Sequence, residues 1–272
     1  MQDKGLELQL NYSGNISHDI TFNLSGNIAG YRNKVLSLPS DVLNAYAGNG
    51  TTQTVLGRDI NSEYGYVVQG IFQNQAEVNN SAAHPGKGVG RLRYEDLNHD
   101  GVIDQNDETF IGNPDPNFVY GLNTSVGYKG FNLTFFFQGS QGGLVDNTYK
   151  TLTDFTSLAP GSNWGTRVLD AWTPTNNKST IPALTLNDNN NEGRPSTYFL
   201  ESGSYLKLRN IQLSYNLKNA IKKLKLQRAM VYIQASNLLT FKSSSYTAPD
   251  PENPGNAYPI PVITTIGINF SY

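Results

Sequence analysis

Strict alternation of apolar and polar residues recurs along this chain and constrains its fold more than any other feature. From Leu6 to Tyr12 every second residue is leucine or tyrosine, and from Phe131 to Phe137 every second residue is phenylalanine or leucine. Side chains of a β-strand point alternately to two faces, so this period predicts strands with one apolar face and one polar face. About seven such strands are predicted: Leu6–Tyr12, Ile20–Ile28, Phe118–Val126, Phe131–Phe137, Leu206–Leu217, Met230–Leu239 and Thr264–Tyr272.

The fifth predicted strand contains a shift in its alternation. Leu206 and Leu208 set one parity, and the apolar positions then resume at Ile211 and Leu213. One extra residue in a strand produces such a shift, so a β-bulge is predicted around Arg209–Asn210.

The connections between the predicted strands alternate in length. The short ones are Ser13–Asp19, Lys129-Gly130 and Lys218–Gln227, and the long ones are about Asn33–Asn117, Gly139–Thr197 and Phe241–Pro261. Bacterial outer-membrane barrels combine short periplasmic turns with long extracellular loops. Asn, Gln, Ser and Thr, not charged residues, oppose the apolar faces, as is typical of a wet barrel interior. The sequence therefore predicts an all-β fold made of antiparallel strands of a large transmembrane β-barrel with long extracellular loops.

Composition excludes several other classes. The formal net charge is -2, so the chain lacks the basic field that attracts nucleic acid. It has no cysteine, which excludes a disulfide scaffold. No apolar run approaches the ~18 residues of a membrane-spanning helix. The first residues, Met1–Lys4, do not begin a signal peptide.

No catalytic set is recognisable in the sequence. His18, His84 and His99 fall in predicted turns or loops and share no metal-ligand spacing, and no nucleophile motif accompanies them. We therefore expect the protein not to be an enzyme.

An acidic segment has the spacing of a twelve-residue calcium loop, with glycine at its sixth position, Gly101. The predicted oxygen ligands are Asp96, Asn98, Asp100, Val102 through its carbonyl, Asp104 and Asp107. Asp107 stands where such loops carry glutamate, which shortens the bidentate arm. No amphipathic helices flank the segment. Residues 90–113 are therefore predicted to form a calcium-loop-like segment within an extracellular loop, holding structural Ca²⁺, with a metal-free acidic turn as the alternative.

The chain ends in a strand with a polar residue, glycine and alternating aromatics. Gly267, Phe270 and Tyr272 match the terminal signal that bacterial barrel-assembly machinery reads. An unpaired edge strand can add to another sheet edge, and the aromatics suit an interfacial girdle.

Several motifs in fixed order resemble the SusC/RagA-type TonB-linked outer-membrane transporters of Bacteroidetes. They are Gly65-Tyr66 with Gly70–Gln73, the Gly90–Gly101 segment, Ile111–Gly121, Tyr128–Gly139, Trp172–Pro174, Ser204–Tyr215 and Val231–Phe241. The resemblance covers most of the chain. It implies that residues 1–272 are the C-terminal portion of a barrel of about 22 strands.

The resemblance also implies that the barrel imports oligosaccharides or peptides across the outer membrane. A SusD-like surface lipoprotein captures the nutrient, and TonB pulls on an N-terminal plug. The plug, the TonB box and the first strands are absent from the matching part, so we expect this piece alone not to transport. The other expected contacts are with outer-membrane lipid and the barrel-assembly machinery.

Aromatic residues in the long loops are candidates for stacking on sugars, with packing among the loops themselves as the alternative. The candidates for substrate binding are Trp164, Trp172, Tyr246 and Tyr258. A second hypothesis for the whole chain is a soluble β-sandwich carbohydrate-binding module with structural calcium. It predicts two sheets packed around a closed hydrophobic core.

Overall fold

A computed structural model of the chain describes residues 1–40, 54–217, 221, 226–255 and 258–271. Tyr272 and most of the predicted link Lys218–Gln227 lie outside the described residues. The strands in chain order are β1 (Gln2–Asn15), β2 (Ile20–Lys34), β3 (Glu63–Tyr66), β4 (Val68–Ile71), β5 (Leu92–Tyr94), β6 (Glu108–Gly112), β7 (Phe118–Tyr128), β8 (Phe131–Gln141), β9 (Leu144–Asp146), β10 (Leu200–Ser202), β11 (Tyr205–Asn216), β12 (Arg228–Lys242) and β13 (Ile263–Ser271). Within the described residues, short helices include α1 (Gln75–Asn80) and α2 (Lys150–Thr153).

Seven long strands form one antiparallel sheet in the order β1-β2-β7-β8-β11-β12-β13. Each long strand therefore pairs with the next long strand along the chain, and the prediction of about seven antiparallel strands is confirmed. The strands run further than the alternation indicated: β2, for example, continues to Lys34, which pairs with Gln2. The backbone of β2 stays paired with β1 beyond Ile28, where the alternation of apolar residues ends.

The long strands are joined alternately by short and long connections. Residues 16–19 join β1 to β2, and Lys129-Gly130 joins β7 to β8 with both residues at positive φ, 45° and 94°. The long connections, residues 35–117, 142–204 and 243–262, leave from the opposite end of the sheet. We call the two ends the short-turn end and the long-loop end.

The two faces of the sheet differ sharply in chemistry. One row of paired residues crosses all seven strands with uncharged polar side chains: Ser13, Asn23, Ser125, Thr134, Gln212, Gln234 and Thr265. The adjacent row, on the other face, is apolar apart from one glycine: Gly14, Phe22, Val126, Leu133, Leu213, Ile233 and Ile266. The apolar face is exposed, and Leu6 and Ile266 reach 82% and 79%. A soluble domain rarely leaves so wide an apolar surface uncovered.

The predicted β-bulge is confirmed. The register of β11 shifts between Leu208 and Asn210 in its pairing with β8 and again in its pairing with β12. Arg209 is the extra residue opposite β8, and Asn237 of β12 has a positive φ of 56° beside the shift.

The buried hydrophobic core lies in the long connections and not beneath the sheet. They form three small two-stranded sheets, β3–β6, β4–β5 and β9–β10. Their core cluster is Tyr66, Ile71, Leu92, Tyr94, Ile103, Phe155, Trp172 and Phe199. In the described part of the chain, no second large sheet covers the apolar face of the seven strands, so the alternative of a soluble β-sandwich with a closed two-layered core is not favoured.

Among the described residues, no helix is long and apolar enough to cross a membrane.

Candidate functional site

All three long connections contribute to one cavity of about 760 Å³ at the long-loop end. Residues 68–73 of the first connection line one side, residues 144–154 and 177–180 of the second line another, and Ser245 comes from the third. A volume of this size matches the pockets that bind small molecules, which are typically about 300–1,000 Å³. Because residues far apart in sequence converge here, we take the cavity as the candidate functional site.

A buried carboxylate with several donors forms one wall of the cavity. Asp154 is 1% exposed and follows α2 directly. Its oxygens accept hydrogen bonds from Arg167 at 2.7 and 3.0 Å and from the Tyr198 hydroxyl at 2.7 Å. Burial alone would raise the pKa of Asp154, but the bonds from Arg167 and Tyr198 hold that pKa below its ordinary value. Burial, followed by the nearby Asp154 charge, raises the pKa of the Tyr198 hydroxyl.

A second ion pair lies beside the first. Lys150 Nζ is 2.9 Å from Glu201 Oε1 and donates to the main-chain carbonyl of Tyr198 at 2.6 Å. Burial would raise the pKa of Glu201, yet the backbone N–H of Thr247 and the charge of Lys150 lower it. Both carboxylates are thus ionised and compensated by neighbouring cations. The remaining polar lining includes Lys178 and the amides and hydroxyls of Gln69, Gln73, Asn177, Ser179, Thr180 and Ser202. Such a wall can hydrogen-bond a polar solute.

The three histidines are not brought together. His18 is exposed in the first short turn, and His99 lies in the acidic segment at a positive φ of 60°. His84 is buried, and its Nε2 is 2.6 Å from Asn190 Oδ1.

The predicted calcium segment forms a tight loop between β5 and β6. Gly101 has a φ of +85°, which fits the turn glycine expected at that position. Gly101 N donates to Asp96 Oδ2 (2.9 Å), Val102 N to Asp100 Oδ1 (2.9 Å) and Asn106 N to Asp104 Oδ1 (2.8 Å). One carboxylate oxygen of each of these aspartates therefore holds the loop backbone.

The last predicted ligand, Asp107, is placed differently from the others. It is fully buried, and its two oxygens accept the backbone N–H groups of Leu97 (2.8 Å) and Asp104 (2.9 Å). In the described part of the chain, no three His, Asp or Glu side chains are grouped closely enough to hold a metal ion. By contrast, Asp96 Oδ1 is buried without a hydrogen-bond partner. The calcium prediction stays a prediction.

The four aromatic candidates occupy different environments. Trp172 is 6% exposed in the loop core and donates from Nε1 to Gln73 Oε1 at 2.8 Å, and Tyr246 is buried as well. Trp164 is 43% and Tyr258 95% exposed. Trp172 and Tyr246 therefore pack among the loops, and only the other two present their rings to a solute.

The terminal strand has one close cross-strand contact that its sequence did not reveal. A Cβ added to Gly267 would lie 2.4 Å from the ring of Tyr232, so the tyrosine ring lies directly over the glycine. Phe270 is exposed on the apolar face. The third predicted signal residue, Tyr272, lies outside the described residues.

A buried charged cluster was missed by the sequence reasoning. Lys207 is 1% exposed, and its Nζ lies 2.6 Å from Asp250 and also contacts Glu252. A signal was available, because Lys207 lies between Leu206 and Leu208 and so puts a charged side chain at a polar position of the alternation.

Comparison with known proteins gives consistent matches. No protein-family model matches the chain. Two proteins named TonB-dependent receptor, both of Formosa agariphila, are 28% and 31% identical to it over 302 and 261 residues, covering 100% and 93% of this chain. The TonB-dependent receptor SusC of Bacteroides thetaiotaomicron is 23% identical over 279 residues, covering 100% of the chain. The chain spans only 29%, 25% and 26% of the lengths of these relatives.

Solved structures agree on the fold. The RagAB peptide transporter matches 99% of this chain, with a TM-score of 0.72 and 23% identity, and the match covers 29% of that chain. The RagAB peptide importer in its "open-open" state matches with a TM-score of 0.70 and 22% identity, covering 99% of this chain and 28% of that one. The seven-stranded sheet and its long connections therefore have the fold of part of a TonB-dependent barrel.

Proposed function

The chain is the counterpart of the C-terminal part of SusC/RagA-type TonB-dependent receptors, and from this premise we propose that it forms part of the wall of an outer-membrane nutrient importer. The whole of residues 1–272 belongs to the barrel in this proposal, and residues 90–113 lie in an extracellular loop. The apolar face contacts lipid, and the polar face lines the interior.

The exposed apolar face of the sheet is the observation that most strongly supports this proposal. Leucine, isoleucine, valine and phenylalanine cross the sheet in the row through Leu133, while the neighbouring row through Thr134 is wholly polar. An apolar face can stay exposed without cost where it contacts the hydrocarbon of a membrane. Strands cross that hydrocarbon as a closed barrel, in which all backbone groups are hydrogen-bonded.

The partners follow from the same premise. A SusD-like surface lipoprotein meets the long-loop end, and TonB supplies the energy for import to the transporter as a whole. Gly267, Phe270 and Tyr272 engage the barrel-assembly machinery when the terminal strand is added to the barrel.

Oligosaccharides or peptides are the proposed cargo. The RagAB structures are of a peptide transporter, and the cavity wall here offers amides, hydroxyls and compensated ion pairs that suit either cargo. Trp164 and Tyr258, the exposed aromatic candidates, are the proposed stacking residues.

Deletion of the gene in its native host tests the transport proposal. Cells are supplied with mixed oligosaccharides and with mixed peptides, and the depletion of each pool is followed by mass spectrometry. We expect one pool to be spared by the deletion strain, and we expect the protein in the outer-membrane fraction. Equal depletion of every component by both strains, with the protein in a soluble fraction, contradicts the proposal.

Calcium binding at residues 96–104 is a second proposal. What supports it is the donor set: Asp96 Oδ1 is buried and unpartnered, and Asn98, Asp100, Asp104 and the Val102 carbonyl supply further oxygens of the kind that Ca²⁺ prefers. Asp107 then holds the loop backbone instead of the ion.

We expect calcium to protect this loop from proteolysis, and chelation or the double substitution Asp96→Asn with Asp100→Asn to remove that protection. Asp170→Asn, in another part of the loops, is the control and keeps the calcium response. A calcium response of equal size in the double variant shows that the ion binds elsewhere.

A further inference from the structure

The first half of the connection between β12 and β13 is folded against the molecule. Tyr246 and Ala248 are only 3% and 1% exposed. The Tyr246 hydroxyl donates to the main-chain carbonyl of Asp250 at 2.9 Å, and Lys242 Nζ donates to the carbonyl of Ala248. We call residues 243–255 the inner strap.

Lys207 anchors the inner strap to the polar face of the sheet. Its neighbours Leu206 and Leu208 belong to the apolar face, so alternation places Lys207 on the other side. Its Nζ lies 2.6 Å from both carboxylate oxygens of Asp250 and contacts Glu252. A buried ammonium group is costly unless it is paired, so Lys207 is suited to this position only while the strap supplies the carboxylates.

Two further side chains complete this contact around Glu252. The Tyr205 hydroxyl donates to Glu252 Oε1 at 2.6 Å. Arg209 contacts the same oxygen and donates from Nε to Gln138 Oε1 at 2.8 Å. Burial would raise the pKa of Glu252, but the bonds from Lys207, Tyr205 and Arg209 lower it, so the carboxylate stays ionised. We call the five residues the latch: Tyr205, Lys207, Arg209, Asp250 and Glu252.

The inner strap also reaches the cavity. Ser245 lines it directly. Both the backbone N–H and the hydroxyl of Thr247 donate to Glu201, each at 2.8 Å. Glu201 in turn pairs with Lys150, and both of these line the cavity. The strap therefore joins the latch on the barrel wall to the ion pairs of the candidate site.

We propose that the inner strap is a gate for the cavity: while the latch is closed the strap forms one wall, and release of the latch opens that side. The latch has two cations and two carboxylates, so it is charge-balanced when closed, and water can hydrate all four groups when it opens. Such an element has two discrete arrangements that a solute or partner can bias. The consequence for solute passage rests on the proposed transport function, whereas the latch itself does not.

Cysteine labelling tests the gate, because the chain has no cysteine of its own. Ala248→Cys places a thiol at a position that is 1% exposed. In the complete protein in its native membrane, we expect slow reaction with a membrane-impermeant maleimide. Adding Lys207→Met should raise the rate about tenfold or more, because labelling follows the population of the open form.

A matched control is Lys129→Met, which breaks the exposed Lys129–Asp19 pair (3.7 Å) at the short-turn end and should leave the rate unchanged. If Lys207→Met does not reach the membrane, Asp250→Asn with Glu252→Gln removes the same ion pairs from the strap side. The latch is overturned if the thiol at 248 reacts as fast as one at Tyr258→Cys with the latch intact, or if latch variants do not accelerate it.

Measurements of solute uptake distinguish a failure of the gate proposal from a failure of the proposed transport function. Faster labelling together with altered uptake kinetics supports the gate, and faster labelling with unaltered uptake overturns it. If labelling follows the prediction but the unaltered protein takes up no solute, the transport proposal fails and the latch stands.

Discussion

The seven-stranded sheet and the long connections use the same apolar residues in opposite ways. Leu92, in the connections, is 1% exposed, whereas Leu24, in the sheet, is 42% exposed. The connections must bury apolar side chains against one another because they face water. The sheet leaves its apolar face uncovered because, in our proposal, lipid covers it. Apolar side chains of this chain therefore need burial against one another only where water is the solvent.

Matched truncations give the largest expected contrast between these regions. Leu92→Ala should destabilise the connections by about 2–5 kcal/mol, because it opens a cavity in a closed core. Leu24→Ala should cost much less, because lipid tails are as apolar as leucine and fill the space. Limited proteolysis of the long loops in the membrane-embedded protein measures the first effect, and thermal unfolding of the sheet measures the second. Equal losses of stability at the two positions would contradict a sheet face that is covered by lipid.

Charged substitutions sharpen the contrast between the two faces of one strand. Leu133→Lys places an ammonium group on the apolar face and should cost up to about 2–4 kcal/mol if that position lies near the bilayer midplane. Thr134→Lys, one residue along on the polar face, should be tolerated. The readout is the amount of folded protein in the outer membrane. If both variants accumulate equally, the apolar face does not contact lipid.

The smallest expected effect is a pH dependence confined to the connections. Burial lowers the pKa of His84, and its hydrogen bond to Asn190 opposes this, while the Arg194 and Lys87 charges add to the lowering. When the pKa of a histidine is lower in the folded state than in the unfolded state, the folded state favours the neutral imidazole. Its contribution to stability is therefore present above the ordinary histidine pKa near 6.5, and it is lost as the pH falls through the lowered value.

We expect the proteolytic resistance of the loops to fall below about pH 6.5. His84→Gln should remove part of that dependence, and His18→Gln, in the exposed first turn, should not. The thermal stability of the sheet should show no His84-dependent change. A pH response that is identical in all three proteins excludes His84 as its source.

The sheet was predictable from sequence because its signal is local. A period of two is readable in any one strand, and the shift of parity between Leu208 and Ile211 was enough to place the bulge. The alternation of short and long connections then predicted that consecutive strands are antiparallel neighbours. The first predicted strands were too short, because pairing between β1 and β2 continues where the apolar alternation has stopped.

The candidate site was not predictable in the same way. Its parts come from three connections, and contacts such as Leu92 N to Glu192 Oε1 (2.8 Å) join residues 100 positions apart. The periodicity of apolar residues does not predict contacts between residues so far apart in the sequence. Spacing alone also could not tell that Asp107 accepts backbone N–H groups with both oxygens, or that Trp172 and Tyr246 would be buried.

Cysteine scanning along β8 in the native membrane tests most directly whether the apolar face of the sheet contacts lipid. Single cysteines at positions 132 to 137 are exposed to a water-soluble maleimide and, separately, to a lipid-soluble one. We expect a period of two: positions 132, 134 and 136 react with the water-soluble reagent, and positions 133, 135 and 137 react only with the lipid-soluble one. Reaction of all six positions with the water-soluble reagent at similar rates would contradict a lipid-facing sheet.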